Sequence, residues 1–493
     1  MQLIRDISDS SAFWGAAWVL SCFPDVHTVC DMPIGCFAML GIGVTDYTDA
    51  LPYLPNFTPA VIHEEDVMIK GTEQSVTRTI EYLRETGELE GKYLIVLSSA
   101  ESELIGADHT NLLKSLDPQG RFIWGQSLEH DEWVGRDRTL LFIWREYGKP
   151  HVPSPPPTPA PNRVNIIGPT LGCFNSPSDL HEVKRLIAGV GGEINLVYPY
   201  ESTIAETPRL VDAAVNVVMY HEFGEPLAKE LGQPYLFAPF GIKGTTRFLR
   251  ELGQHIGTPP EQVERFIEQE KRTTLLPIWD MWRGPQSDWF STVNCCIVGG
   301  RSYADGLYDF FFNELGIEVV WMSGQPRREN EPDNITIRKL LHERVPTMVF
   351  ATINEKVFMD EVNSSSHFIP TGFPMPIVRR ALGTPFMGYS GTVYLVQDIV
   401  NRLYEMVVNF LPVEIVKRDG TPAGIPEEAY EERTMLWTDD AAERLNKAVE
   451  QLPFLGRVSA IRTLRKAAEH LARLQGAAEV TLAIVEESLA RRE

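Results

Sequence analysis

The sequence predicts an α/β protein made of three successive doubly wound parallel-sheet (Rossmann-like) domains followed by a small C-terminal helical appendage. Three observations predict it. Short runs rich in β-branched and aromatic residues alternate with helix-forming stretches of about 10–15 residues, the pattern of parallel strands joined by crossover helices. The 493 residues leave room for about three domains at roughly 150 residues each. A proline-rich segment interrupts the alternation once, and the strand-like runs cease before the last stretch of chain.

Residues 1–150 form the first α/β domain. Strands are predicted at Val26–Cys30, Pro59–His63, Tyr93–Leu97 and Arg121–Trp124, each a short apolar run bounded by turn formers. Helices fall at Thr72–Glu85, Ser102–Leu116 and Glu132–Tyr147. Residues 151–162 carry Pro153, Pro155, Pro156, Pro157, Pro159 and Pro161 and read as an extended, semi-rigid linker. The second domain, 163–290, shows strands at Val164–Ile167, Glu193–Tyr198, Val215–Met219 and Pro234–Ala238, with a helix start at Pro177–Leu180. The third, 291–412, has strands at Cys295–Val298, Glu318–Met322 and Thr347–Ala351 and a helix at Ser302–Leu315. Residues 413–493 begin with the Pro-, Gly- and acid-rich stretch Glu414–Glu432. Thr438–Arg492 then follows, helix-forming, with Leu445, Val449, Leu452, Leu464, Ala467 and Leu471 near helical spacing.

Charge and cysteine usage narrow the function. Lys and Arg number 45 against 67 Asp and Glu, a formal charge of −22, so a nucleic-acid partner would be repelled by the mean field. The N-terminus has no basic and apolar targeting pattern, and the best apolar run, Ala12–Phe23, is too short to span a bilayer, so a soluble cytoplasmic protein is expected. Of six cysteines, Cys22, Cys30, Cys295 and Cys296 lie in apolar stretches and read as buried thiols, as does the loop-borne Cys173. Cys36 differs. It stands at a strand's exit beside Gly35, where the N–H groups of a helix start favour a thiolate and a metal bond. An iron–sulfur cluster usually takes four cysteines, so Cys36 could hold one only with ligands from a second polypeptide.

Other motifs are missing. No Walker or G-x-G-x-x-G spacing follows a strand, so ATP or NAD binding by this chain is not expected. Gly241–Thr246 offers donors for an anion but reads better as a structural helix start at Thr245. The 11 histidines include no H-E-x-x-H, and no G-x-S-x-G elbow appears.

The segments Phe13–Ala16, Pro33–Cys36, Asp46–Pro52, Gly168–Leu180, Ile353–Lys356 and Met387–Gly391 resemble the nitrogenase-like family, and within it the Z-type subunits of chlorophyllide a reductase. The resemblance covers about the first 410 residues well and the helical tail loosely. It implies a two-component enzyme of bacteriochlorophyll synthesis. An X-like, ATP-Mg-dependent iron–sulfur protein would pass electrons to a heterotetramer of this chain and a Y-like subunit, which reduces the ring B C7=C8 bond of chlorophyllide a. Peripheral attachment to photosynthetic membranes is compatible with this. Of the family's three cluster-ligand segments this chain keeps one. Ser11 or a neighbour stands at the first, Cys36 at the second and Ala100 at the third, so Cys36 would ligate a 4Fe-4S cluster shared with the partner's cysteines. The related B-type subunits of dark-operative protochlorophyllide reductase offer an Asp in this loop, so cysteine favours the chlorophyllide enzyme. A B-like protochlorophyllide subunit and a noncatalytic cofactor-assembly scaffold are the alternatives.

The resemblance also implies roles for residues around the pigment. Phe37, Met39 and Leu40 would line its cavity near the cluster, with ordinary helix packing as the competing role. Met387 and Tyr389 match a Met-Gly-aromatic segment that approaches pigment. Asp288, beside Trp289 and Phe290, stands near the family's proton-donor position, where desolvation would keep a carboxylic acid protonated; a turn cap is its alternative role.

Overall fold

The computed structural model describes residues 10–38, 40, 56–63, 65–66, 71–282, 290–343, 346–362, 364, 366–373, 382–410, 415–416, 422–423, 435–449 and 454–490. They fall into two compact units, Met1–Glu405 and Met406–Glu493.

The first unit repeats one topology three times. Strands β1 (Val26–Met32), β2 (Phe57–Val61), β3 (Tyr93–Ser98) and β4 (Arg121–Ile123) form a sheet in the order β2-β1-β3-β4. Strands β5 (Ala160–Ile167), β6 (Glu193–Tyr198), β7 (Ala213–Val218) and β8 (Tyr235–Phe237) follow in the order β6-β5-β7-β8. Strands β9 (Asn294–Gly300), β10 (Glu318–Gln325), β11 (Met348–Ala351) and β12 (His367–Pro370) take the order β10-β9-β11-β12. Every pairing in these sheets is parallel. The apolar runs are continuous because the central strands are covered on both faces, and every residue of β1 is buried. Between β1, β2 and β3 and the helix Glu73–Glu85 lies a core of Val29, Ala60, Val96, Val76, Ile80 and Leu83.

Two helices of the first block approach as closely as backbones can. A Cβ on Gly15 would lie 2.0 Å from the Glu132 carbonyl oxygen, and one on Gly135 would lie 2.2 Å from that of Ala12. The helices Ala12–Leu20 and Glu132–Ile143 therefore cross where neither has a side chain. The crossing sets Arg136 facing the second sheet. This arginine is 0% exposed; it donates to the Leu171 carbonyl at 2.9 Å, to that of Gly172 at 3.2 Å and to the Glu132 carboxylate at 3.0 Å. Its guanidinium also lies over the rings of Trp133 and Phe223, 5.3 and 5.0 Å from their centroids.

Two expected helices differ. Ser102–Leu116 is broken into Ala100–Leu104 and Thr110–Leu116, because Gly106 takes a left-handed φ of +68° and Asp108 restarts the backbone by accepting from the Thr110 N–H. The helix expected from Thr245 begins at Gly241, since the Glu314 carboxylate accepts from the N–H groups of Ile242 and Lys243 at 2.9 and 3.1 Å. Local composition carries no sign of that distant cap.

The second unit holds helices Asp439–Val449, Phe454–Leu474 and Leu482–Ala490 around Ala441, Ala468, Leu471, Ala472, Val480, Ile484 and Val485. A short parallel pairing of Leu436–Trp437 with Glu479–Val480 joins them, a feature helical spacing does not reveal. Among the described residues no helix is long and apolar enough to cross a membrane.

Removing Arg136 leaves Glu132 buried without its counter-charge and two carbonyls without donors. Arg136→Met is expected to cost about 3–5 kcal/mol in urea unfolding. Adding Glu132→Gln should return part of that loss, whereas a loss below about 1 kcal/mol in the single variant would show that the arginine does not hold the two sheets together.

Candidate functional site

In an order of β2-β1-β3-β4 the chain leaves β1 toward one side and β3 toward the other, so a crevice opens between their carboxyl ends. Cys36 lies there. From Met32 the chain passes Pro33 into a helical turn at 34–38, and from Ser98 it passes Ser99, whose hydroxyl and the Ser102 hydroxyl form a reciprocal cap, into the helix Ala100–Leu104. The turns meet where the Cys36 thiol donates to Glu101 Oε1 at 3.4 Å. Cys36 is partly exposed.

The expected electrostatics are reversed. Burial raises the Cys36 pKa, and both the hydrogen bond to Glu101 and its negative charge raise it further, outweighing the helix start that was expected to favour thiolate. Among the described residues no group of three or more His, Cys, Asp or Glu is arranged to hold a metal ion. A partly exposed sulfur at this edge could serve an iron–sulfur cluster as one corner of it only with the remaining ligands supplied from elsewhere.

A buried network below Cys36 escaped sequence reasoning. Asp31, near the end of β1, and His109 are each 0% exposed; His109 Nε2 and Asp31 Oδ2 are 2.8 Å apart, and Thr72 donates to the same oxygen at 2.7 Å. Asp31 Oδ1 and His109 Nδ1 have no partner among the described residues. Nothing local marks these residues, which are 78 positions apart and joined only by the parallel topology.

The remaining residues singled out from the sequence are scattered. Phe37 is partly exposed beside Cys36, and Leu40 is buried. Met39 and Asp288 lie outside the described residues. Met387 and Tyr389 are both 0% exposed and packed within the chain. The Met387 N–H donates to Asp179 Oδ1 at 2.9 Å, the Gly388 N–H to the Pro239 carbonyl at 2.9 Å, and the Tyr389 hydroxyl pairs with Thr246 at 2.7 Å. Gly388, at φ +72°, leaves no room for a Cβ against Glu182. This turn bolts the helix Gly388–Phe410 to the second sheet.

A second cleft opens among the carboxyl ends of the second and third sheets, lined by Cys173, Tyr220, Glu222, Gly300, Tyr303 and Glu355. Its space is about 30 Å³, enough for a water or two and too little for a macrocycle. Cys173 packs against Arg136, as a buried thiol. Glu222 accepts from the Ser302 hydroxyl at the start of the helix Arg301–Tyr308, and a Cβ on Gly300 would lie 2.2 Å from its Oε1. A side-chain carboxylate fills the place where a dinucleotide-binding turn would hold phosphate. Burial pushes the Glu222 pKa up to about 7, against hydrogen bonds that pull it down.

Comparison with known proteins follows the same architecture. Residues 11–404 match the family described as nitrogenase component 1 type oxidoreductase, and residues 437–488 match the proto-chlorophyllide reductase 57 kD subunit family. The B-type subunit of the light-independent protochlorophyllide reductase of Picosynechococcus sp. (strain ATCC 27264 / PCC 7002 / PR-6) is 26% identical over 96% of both chains. That of Synechococcus sp. (strain JA-3-3Ab) is 23% identical over 96% of both. The structure of nitrogenase Cp1 at pH 6.5 superposes with a TM-score of 0.67 at 14% identity, covering 85% of this chain and 97% of that one.

Glu222 keeps its proton to about pH 7 when folded but only to about 4.3 when unfolded, so between these values the folded state holds more protons and stability falls as pH rises. Glu222→Gln is expected to flatten part of that fall, matching the unaltered chain at pH 5 and melting higher at pH 8. Asp137, whose burial raises it to about 7, retains the remainder. Parallel melting profiles for the two proteins would refute the assignment.

Proposed function

The chain belongs to the nitrogenase component 1 type oxidoreductases, and from that premise we propose that it is one subunit of a heterotetrameric tetrapyrrole reductase in which Cys36 supplies one ligand to a 4Fe-4S cluster completed by a Y-like partner. The observation that carries this reading is the single accessible thiol at the crevice between β1 and β3, with no other metal-ligating set among the described residues. When bound, the cluster supplies electrons to a conjugated macrocycle. Cys36 contributes thiolate sulfur, and Phe37 offers apolar surface beside it. Asp288 is the proposed proton donor. Nucleotide hydrolysis belongs to a separate X-like, ATP-Mg-dependent iron–sulfur protein, in keeping with helix starts at Gly241 and Arg301 that are closed by Glu314 and Glu222.

The proposed substrate is chlorophyllide a, reduced at C7=C8 of ring B, because the ligand at the crevice is cysteine. A second reading, reduction of protochlorophyllide, is favoured by the names of the relatives, which match this chain over most of its length at 23–26% identity. A cofactor-assembly scaffold would carry the same thiol but would not turn over pigment.

The complex purified with its Y-like partner is expected to show iron and the broad visible absorbance of a 4Fe-4S cluster, both lost in Cys36→Ala. Unchanged iron content in that variant would remove Cys36 from the site. Chlorophyllide a and protochlorophyllide supplied separately with the reduced ATP-dependent component should give product from the first alone. Product from the second alone selects the other reading, and product from neither selects the scaffold.

A further inference from the structure

We propose that a groove at the carboxyl end of β4 binds a flat aromatic molecule by its carboxylate, with Arg138 as the residue that recognises the acid. The groove has a volume of about 390 Å³; Phe122, Trp124 and Phe142 form its walls, and Ala16 and Gly135 its floor. All three aromatic side chains are partly exposed, and Phe122 meets Trp124 edge to face at 6.1 Å. Apolar walls of this kind suit the face of a planar ring.

The charges at the groove differ in how they are paired. Its Glu146 is paired with Arg121, outside the lining, at 2.8 Å, and its Arg145 is held by Glu230 through contacts of 2.6 and 3.0 Å. Arg138 is in no ion pair among the described residues; its guanidinium donates to the Gln126 carboxamide. Glu103 and Glu129 lie within range of its charge without pairing with it, and Glu103 already accepts from Ser98 at 3.1 Å and from the Ser127 N–H at 2.9 Å. A half-buried guanidinium among aromatic rings, in a chain of net charge −22, calls for an anion with two oxygens in a plane.

The turn that holds Gln126 is under backbone strain. Gln126 has φ 52°, the left-handed region that a non-glycine residue rarely occupies. The preceding Gly125 presses on β3, where a Cβ would lie 2.5 Å from the Ser98 carbonyl oxygen. The same β3 exit leads within three residues to Glu101, the partner of Cys36, so groove and thiol are built on one edge of one sheet.

The identification of the molecule as a tetrapyrrole acid rests on the function proposed above; the groove's preference for an aromatic carboxylate does not. Protoporphyrin IX and its dimethyl ester, titrated into the purified full-length chain and followed by the Soret band, test both. The acid should bind the unaltered chain at least tenfold more tightly than the ester, and Arg138→Met should abolish that difference. Arg138→Lys should keep a fraction of it, and Arg145→Met, in the same groove but already paired, should leave it intact. Equal affinity for acid and ester, no loss in Arg138→Met, or the same loss in Arg145→Met would overturn the site. Acid binding through Arg138 in a chain whose complex lacks the cluster would leave the site standing and remove the function; a Cys36-dependent cluster with Arg138-independent binding would do the reverse.

Discussion

Carboxylates carried across domain boundaries to helix N-termini hold the three sheets in one arrangement. Asp25 accepts from the N–H groups of Ile204 and Ala205 at 2.9 and 3.1 Å, and Asp137 from that of Gly224 at 2.6 Å, both tying the first block to the second. Asp179 accepts from Phe386 and Met387 at 2.6 and 2.9 Å, Glu182 from Ser390 at 3.0 Å, and Glu314 from Ile242 and Lys243, tying the second block to the third. Where the carboxylate is ionised each is a charge-assisted bond worth about 1.5–3 kcal/mol, and a buried carboxylate that lost its donors would cost more than the bond supplies. The contacts therefore fix distances between sheets that apolar packing alone would leave adjustable.

This joinery decides where chemistry can happen. Three repeats of one sheet topology give three crevices at the carboxyl edge, yet those of the second and third sheets converge on a cleft that Glu222, Tyr303 and Glu355 largely fill. The carboxyl edge of the first sheet carries Cys36, partly exposed, and the buried Asp31–His109 pair. A partly exposed thiol and an aromatic groove whose Arg138 is in no ion pair among the described residues both fall on that edge.

The fold was legible because its signals are local. Glu193–Tyr198 is a strand at the residues its apolar run marks, and Val26–Cys30 needed extension only to Met32. Errors arose where a distant residue decides the outcome. Glu314, more than 70 positions away, starts a helix at Gly241; the break at Gly106, by contrast, is local, a glycine and Asp108 inside the run that its helix-forming neighbours Leu104 and Leu112 outweighed in the sequence pattern. The site was legible in part. Cys36 stands out as a loop thiol, but Glu101, which raises its pKa, comes from a separate strand exit. The Met387–Gly391 motif was visible as a string, while its work as a bolt depends on Asp179, Glu182 and Thr246, brought there by the fold.

Glu222 and Glu314 have a wider consequence. An acidic side chain permanently seated at a helix start is an internal competitor present at unbeatable effective concentration, so dissolved phosphates gain no foothold there. At those two helix starts a nucleotide's phosphates would meet an acid already in residence instead of free N–H groups.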